Sequence, residues 1–563
     1  MGLQGKGNTF LRVLRSYNIE EKVISLVVAV VVVVLLFQSV VDLFKRPELF
    51  AGEGGYYTEG LLNERPTLLN PVYTDLAEAN RDISSLIFSG LTRYDPSLQA
   101  FVKDLAELKI SEDKKTYTFT LRDGVTWHDG EPLTAADVFF TFHDVIQHED
   151  FQNPVLHANF DGVEVKQIDE KTVEFVLSKP NSFFITNLNV GILPEHILAG
   201  IPVMELPQSS FNFHPVGTGP YKVDDPLEVL TDGRQRVLLS LSEDFYATKP
   251  KIQNIRFHIY PDADSMLKEQ GTLNIIAKVP RPVQDEIEGA GRFDLLKYEL
   301  PQYTAVFMNM DSPILQKDKV RIALQKAIDK EKLLEVLPNK TRVDTPLMSL
   351  DQAEWLYKVN IEEAQGALFD SGYKMNADDE SDPYRKDTEG ENLKLVLLVR
   401  MLNENPFAAE EMQTAVDFLT ESWKAVGVEI DAQFEPIDLF GARVQARDYD
   451  LLLTGESLGY NRDTYSYWHS TQAGENGLNL SNYRSFAADS YIENIRDTFD
   501  PDEKDEYLEE LAEVIAEEVP AIFLYRPSYS LATDNKVKNI SLQNLAYPSD
   551  RFASVSDWCI ECE

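Results

Sequence analysis

Between Lys115 and Arg122 the chain reads KTYTFTLR, which places Tyr117, Phe119 and Leu121 on one face and three threonines on the other. That period of two predicts a half-buried strand. Val173, Phe175 and Leu177 repeat the pattern, and Asp450 to Thr454 reads as a short buried strand. Elsewhere the spacing turns helical. Asp318 is a candidate cap for a helix carrying Val320, Ala323, Leu324, Ala327, Ile328 and Leu334. A second helix is predicted near 503–517, with Leu508, Leu511 and Ile515 inward and an acidic outer face. Residues 375–392 hold almost no large apolar group and read as an exposed loop. The elements are mixed α and β, and no internal repeat is evident.

One segment follows neither period. From Val23 to Val41 the chain is uncharged, with only Ser25, Gln38 and Ser39 polar. At about 1.5 Å per residue such a helix matches a hydrocarbon core of about 30 Å. Lys6, Arg12, Arg15 and Lys22 precede it, which favours a cytoplasmic N-terminus, although Lys45 and Arg46 follow it. A cleaved secretory signal is the competing reading, but its apolar core is normally shorter and no small-x-small site follows Val41. No cysteine follows the run, so lipidation there is excluded. The expectation is a cytoplasmic segment over 1–22, one transmembrane anchor over 23–44, and a large C-terminal domain outside the cell.

Composition narrows the classes of function. The 563 residues carry 53 Lys and Arg against 93 Asp and Glu, a net charge of −40, the wrong sign for a nucleic-acid partner. Hydrophobic residues make up 43%, enough for two or three packed units. The two cysteines, Cys559 and Cys562, lie at the extreme C-terminus, so the body of the protein has no disulfide framework. As a C-x-x-C they are half of a metal site, and a local disulfide or two idle thiols is the simpler reading.

Catalytic patterns fail on context. Gly455-Glu456-Ser457-Leu458-Gly459 matches G-x-S-x-G directly after a strand, but no helical pattern follows, and His469 comes too soon to act as base in that fold. His143 and His148 are five apart and belong to no HExxH. Gly217 and Gly219 lack the third glycine of a dinucleotide fingerprint, and Pro220 follows them. They suit a sharp turn. Asp123-Gly124 and Asp129-Gly130 suit tight turns as well, and Trp127 and Phe139 suit core packing.

The segment from Tyr117 to Phe142, with its V-T-W-H-D-G-E-P-L-T stretch, resembles the signature of the family 5 extracellular solute-binding proteins, the dipeptide and oligopeptide receptors of ABC importers. Further segments follow in that family's order: Pro66 to Pro71 with Phe88 to Leu91, Pro215 to Tyr221, Val320 to Asp329, Tyr465 to Gln472, and Val519 to Tyr525. The resemblance covers roughly residues 55–545.

It implies a two-lobed α/β fold of the type II periplasmic-binding-protein kind with an inserted subdomain. Lobe I would comprise 52–91, 212–300 and 524–563, the subdomain 92–211, and lobe II 301–523. It also implies a monomer that captures a peptide in the cleft and delivers it to permease subunits, without enzymatic activity, cofactor or metal. Nickel chelates, haem and oligosaccharides are ligands of other relatives. Gly455, Glu456, Ser457, Leu458, Gly459 and Tyr460 would lie along the ligand, with Tyr73, Thr74 and Tyr525 facing it from the first lobe. Peptide receptors of the family often place an aspartate near Gly459 to hold the ligand's ammonium. Glu456 and Asp463 are the nearest substitutes.

Overall fold

A computed structural model describes residues 56–560 apart from 63–67, 77, 231–232, 356, 377–380, 403–405, 461–462 and 476. The expected anchor at 23–44 and Cys562 lie outside the described residues. Among the described residues no helix is long and apolar enough to cross a membrane.

Twelve strands form one continuous sheet: β1 (Tyr56–Leu62), β2 (Tyr221–Val229), β3 (Gln235–Leu241), β4 (Asn254–Tyr260), β5 (Ile275–Ile276), β6 (Phe293–Glu299), β7 (Gln302–Met308), β8 (Lys340–Arg342), β9 (Lys394–Arg400), β10 (Glu429–Glu435), β11 (Leu451–Ser457) and β12 (Ala521–Asp534). Their order is β10-β9-β11-β7-β12-β5-β1-β4-β3-β2, with β6 and β8 also paired to β12. β12 is therefore shared. Its first half pairs with β7 and β8, as far as Lys340 opposite Pro527, and its second half pairs with β6 from Glu299 opposite Ser528. The chain crosses between the lobes once at Leu300-Pro301 and again at Pro527-Ser528. The expected division at 523/524 falls within β12, where pairing still belongs to the second lobe.

Each lobe is layered around its part of the sheet. In the second, β7, β9, β11 and β12 bury Val306, Leu397 and Leu453 on one face, against the Asp318–Lys326 and Pro406–Lys424 helices. On the other face they bury Phe307, Leu398 and Leu452, against the Phe486–Asp497 and Pro501–Glu518 helices. Asp500 caps the last of these, and Leu508, Leu511 and Ile515 face inward as their spacing predicts. The helix expected from Asp318 through Leu334 is broken in two. Asp329 accepts a hydrogen bond from the Lys332 N–H and caps a new helix over Lys330–Val336. The polar stretch after Met375 is not wholly exposed, because Arg385 is buried and donates to the Val426 and Tyr373 carbonyls.

The inserted residues form a four-stranded antiparallel sheet, ordered 106–110, 116–121, 172–176 and 164–167. Tyr117, Phe119 and Leu121 are buried on one face, and Phe119, Phe142 and Phe175 pack edge to face. This core runs on into that of the first lobe. Gly217 and Gly219 explain the tight return to the sheet. The Gly219 N–H donates to the Ile87 carbonyl at 2.7 Å, and a β-carbon on Gly217 would overlap that same oxygen. His128 clamps the turn, accepting from the Gly217 N–H through Nδ1 at 3.2 Å and meeting the Gly219 carbonyl through Nε2 at 3.0 Å.

Gly217→Ala is expected to destabilise the protein by about 2 kcal/mol or more, because the obstructing atom is backbone and cannot swing aside. A urea titration checks this, and an unchanged midpoint would show that the turn has room to adjust.

Candidate functional site

The two crossings form the floor of a cavity of about 670 Å³ between the lobes. Lys297, Tyr298, Glu299, Leu300 and Pro301 line it from the first crossing and Arg526 and Ser528 from the second. Tyr94 and Phe101 come from a first-lobe hairpin (92–95 with 100–103), Phe183 and Thr186 from the inserted subdomain, and Met348, Gly459 and Tyr460 from the second lobe. Residues 542–546, in part, close it from the C-terminal segment.

The floor carries the charge. Glu299 accepts the Thr341 hydroxyl on one oxygen, and its other oxygen lies 2.7 Å from Arg526 Nε. Lys297, two residues earlier on the same strand, is exposed. Tyr298 stacks on Tyr529 at 5.6 Å, which fixes the strand's outward face.

The segment expected along the ligand divides sharply. Gly455 and Ser457 are exposed on β11 opposite Thr304 and Gln302, whereas Glu456 is buried and accepts the Tyr303 hydroxyl. Burial pushes the Glu456 carboxyl up to about 8, against the smaller opposing effect of that hydrogen bond. Leu458 is half-buried and donates its N–H to the Pro301 carbonyl at 2.9 Å. Only Gly459 and Tyr460 of the six reach the cavity wall.

Tyr460 spans the gap between lobes. Its hydroxyl donates to Asp550, and its ring packs on Tyr94 at 5.1 Å, Phe101 at 5.4 Å and Tyr547 at 4.8 Å. Gly459 has φ +55°, and a β-carbon there would overlap the Tyr547 hydroxyl. The room that a carboxylate side chain at 459 would need is thus filled by Tyr547.

The other expected residues sit apart from the cavity wall. Tyr73 is buried against Phe151 at 5.4 Å, and Thr74 is half-buried on the same short helix, Pro71–Leu76. Tyr525 is turned into the second-lobe core, with the Lys340 ammonium 5.9 Å from its ring. Asp463 is buried, accepts the Tyr465 N–H and pairs with Arg496 Nε at 3.0 Å. Arg496 in turn receives the subdomain, since its carbonyl accepts the Ser182 N–H at 2.8 Å. Asp463 therefore supports a contact between subdomain and second lobe. Ser457 ends its strand and, among the described residues, no helix begins until Tyr465, while His469 Nδ1 is engaged with Thr471. The nucleophile-elbow geometry is absent there.

Sequence reasoning missed Lys297, Glu299, Arg526, Phe183 and Tyr94. Arg526 was one residue away: alternation along β12 turns it toward the cleft because Tyr525 faces the core.

A two-lobed molecule with a ligand-sized cavity at paired crossings is a solute receptor in architecture. The chain belongs to the bacterial extracellular solute-binding proteins of family 5, whose model matches residues 100–477. It is 26% identical over 500 residues to the oligopeptide-binding protein AppA of Bacillus subtilis (strain 168), across 85% of this chain and 88% of that one. The structure of AppA with a nonapeptide superposes with a TM-score of 0.70 over 90% of this chain and 99% of that one, at 23% identity. The dipeptide-binding protein of Escherichia coli K12 is 24% identical over 488 residues, 78% of this chain and 86% of its own. NikZ from Campylobacter jejuni, solved with Ni(L-His), superposes with a TM-score of 0.71 at 26% identity, over 89% and 99% of the two chains.

The buried Glu456 has a pH signature. Its native carboxyl holds a proton to about pH 8, whereas the unfolded chain releases it near the ordinary value of 4.5. Between those values the native state binds more protons, so stability falls as pH rises. Glu456→Gln is expected to flatten that fall, gaining on the parent protein at pH 8 and converging with it near pH 4.5. Denaturant titrations across the range decide it, and parallel curves for the two proteins would remove Glu456 as the cause.

Proposed function

We propose that the protein is a membrane-anchored extracellular receptor that captures peptides between its lobes and presents the closed complex to the permease of an ABC importer. The observation that carries this reading is the shared strand β12 beneath a 670 Å³ cavity. Two rigid cores joined at paired crossings can close on a ligand by turning a few residues. AppA and the dipeptide-binding protein supply the ligand class by likeness. The division into lobe I, inserted subdomain and lobe II follows the crossings, and the apolar stretch 23–44 supplies the anchor. Gly459 and Tyr460 would contact the ligand from the second lobe, and the unfilled length of β11 beside them could offer main-chain partners to an extended peptide. Likeness to NikZ favours a nickel chelate as the second reading.

A peptide mixture at a hundredfold excess over Kd is expected to stabilise the protein by about 2.7 kcal/mol, without being hydrolysed. Small-angle scattering is expected to show contraction on binding. A melting temperature indifferent to peptides but raised by Ni(L-His) would transfer the assignment to the chelate. Sequencing the N-terminus of the mature protein tests the anchor, and a chain beginning near residue 45 to 55 would remove it.

A further inference from the structure

Ionisable groups around the cleft differ in how far their hydrogen-bonding capacity is already spent. The carboxylates are engaged within the protein. Glu299 faces Thr341 and Arg526, and Asp550 accepts the Tyr460 hydroxyl and the N–H groups of Ala546 and Tyr547, both at 2.8 Å. Glu456 accepts Tyr303, and Asp463 holds Arg496. Position 459 has no side chain, and Tyr547 fills its room.

The cations are in the opposite condition. Arg526 meets Glu299 through Nε alone, and among the described residues no partner faces its two terminal amino groups. Its side chain is 29% exposed, and only Nε is enclosed, so the two terminal amino groups remain open to water. Among the described residues Lys297 has a single 3.4 Å hydrogen bond, to Asn339 Oδ1. A guanidinium whose terminal amino groups meet only water can exchange that water for an oxyanion, and its planar fork matches a carboxylate in bidentate fashion.

We infer that the cleft holds its ligand by a carboxylate seated on the terminal amino groups of Arg526 beside Lys297, and offers no carboxylate to a ligand's ammonium. Resting on the peptide reading, this makes the ligand a peptide anchored by its C-terminus or an acidic side chain, its N-terminus free to be blocked. Arg526 is then the specificity-determining residue. Glu299 holds the guanidinium in place and does not compete for its outer edge.

The test uses a tri- to hexapeptide library of neutral side chains in three forms: free acids, C-terminal amides, and N-acetylated free acids. Citrate and succinate serve as non-peptide carboxylates. Titration calorimetry is run on the full protein and on Arg526→Gln, Arg526→Lys and Glu299→Gln, with melting curves confirming that each is folded. Free acids and acetylated acids are expected to bind alike, and amides about ten- to a hundredfold more weakly. Arg526→Gln should reduce the acids to the level of the amides, Arg526→Lys should restore part of the difference, and Glu299→Gln, which loosens the guanidinium's support, should narrow the difference without abolishing it. Amides binding as tightly as acids, or acetylation abolishing binding, overturns the inference while leaving peptide capture intact. If no peptide binds in any form, the peptide reading fails. Citrate or succinate binding that requires Arg526 then supports the carboxylate anchor by itself, and its absence overturns that as well.

Discussion

A fourteen-residue ladder holds the molecule together and decides where it can bend. β12 donates and accepts backbone hydrogen bonds in both lobes, so neither lobe has a complete sheet without it. Where its pairing changes partner stands Pro527, and where the neighbouring strand crosses back stands Pro301. Proline lacks the N–H that a ladder needs, so the two crossings are the places where the sheet is least stitched. The cavity opens at that seam, and its charged residues come from the same few positions.

Away from the seam, buried charge ties separate elements of each lobe together. Arg551 is 2% exposed and pairs with Glu59 on the first strand and Asp82 on the Glu78–Ile87 helix, at 2.5 and 2.6 Å. The Tyr57 hydroxyl adds a hydrogen bond to Glu59 at 2.7 Å. In the second lobe Lys330 is enclosed by Asp344 at 2.7 Å and the Val343 carbonyl at 2.9 Å, and burial lowers its ammonium to about 8 despite that partner. Such pairs add little net stability, but losing one partner strands the other in a medium that cannot solvate it, at a cost of about 3–5 kcal/mol. They specify which segments meet.

Local pattern carried much of the architecture. The alternation of Tyr117, Phe119 and Leu121 and the inward row Leu508, Leu511 and Ile515 follow from short-range periodicity and burial, so they could be read from neighbours in the chain. The turn at 217–219 was legible as a turn, but not its contact with Ile87. The helix break at Asp329 could not, because a capping side chain competes with continuation by a small margin. The candidate site was legible only at Gly459 and Tyr460. Asp463 reads as a free carboxylate until Arg496 is placed beside it, and Tyr525 and Arg526 exchange roles once the strand's face is known. Partners of this kind depend on tertiary contacts, 33 residues apart for Asp463 and Arg496 and 227 for Arg526 and Glu299.

Arg551 lies 492 residues after Glu59, its partner. A polypeptide made from its N-terminus must hold Glu59 and Asp82 without their cation until Arg551 has been added. β12, which both lobes require, arrives little sooner. Contacts this remote in sequence pay their loop-closure entropy late, so the first lobe is completed only by residues made after the second. The first lobe is therefore a scaffold that waits for its own closing clasp.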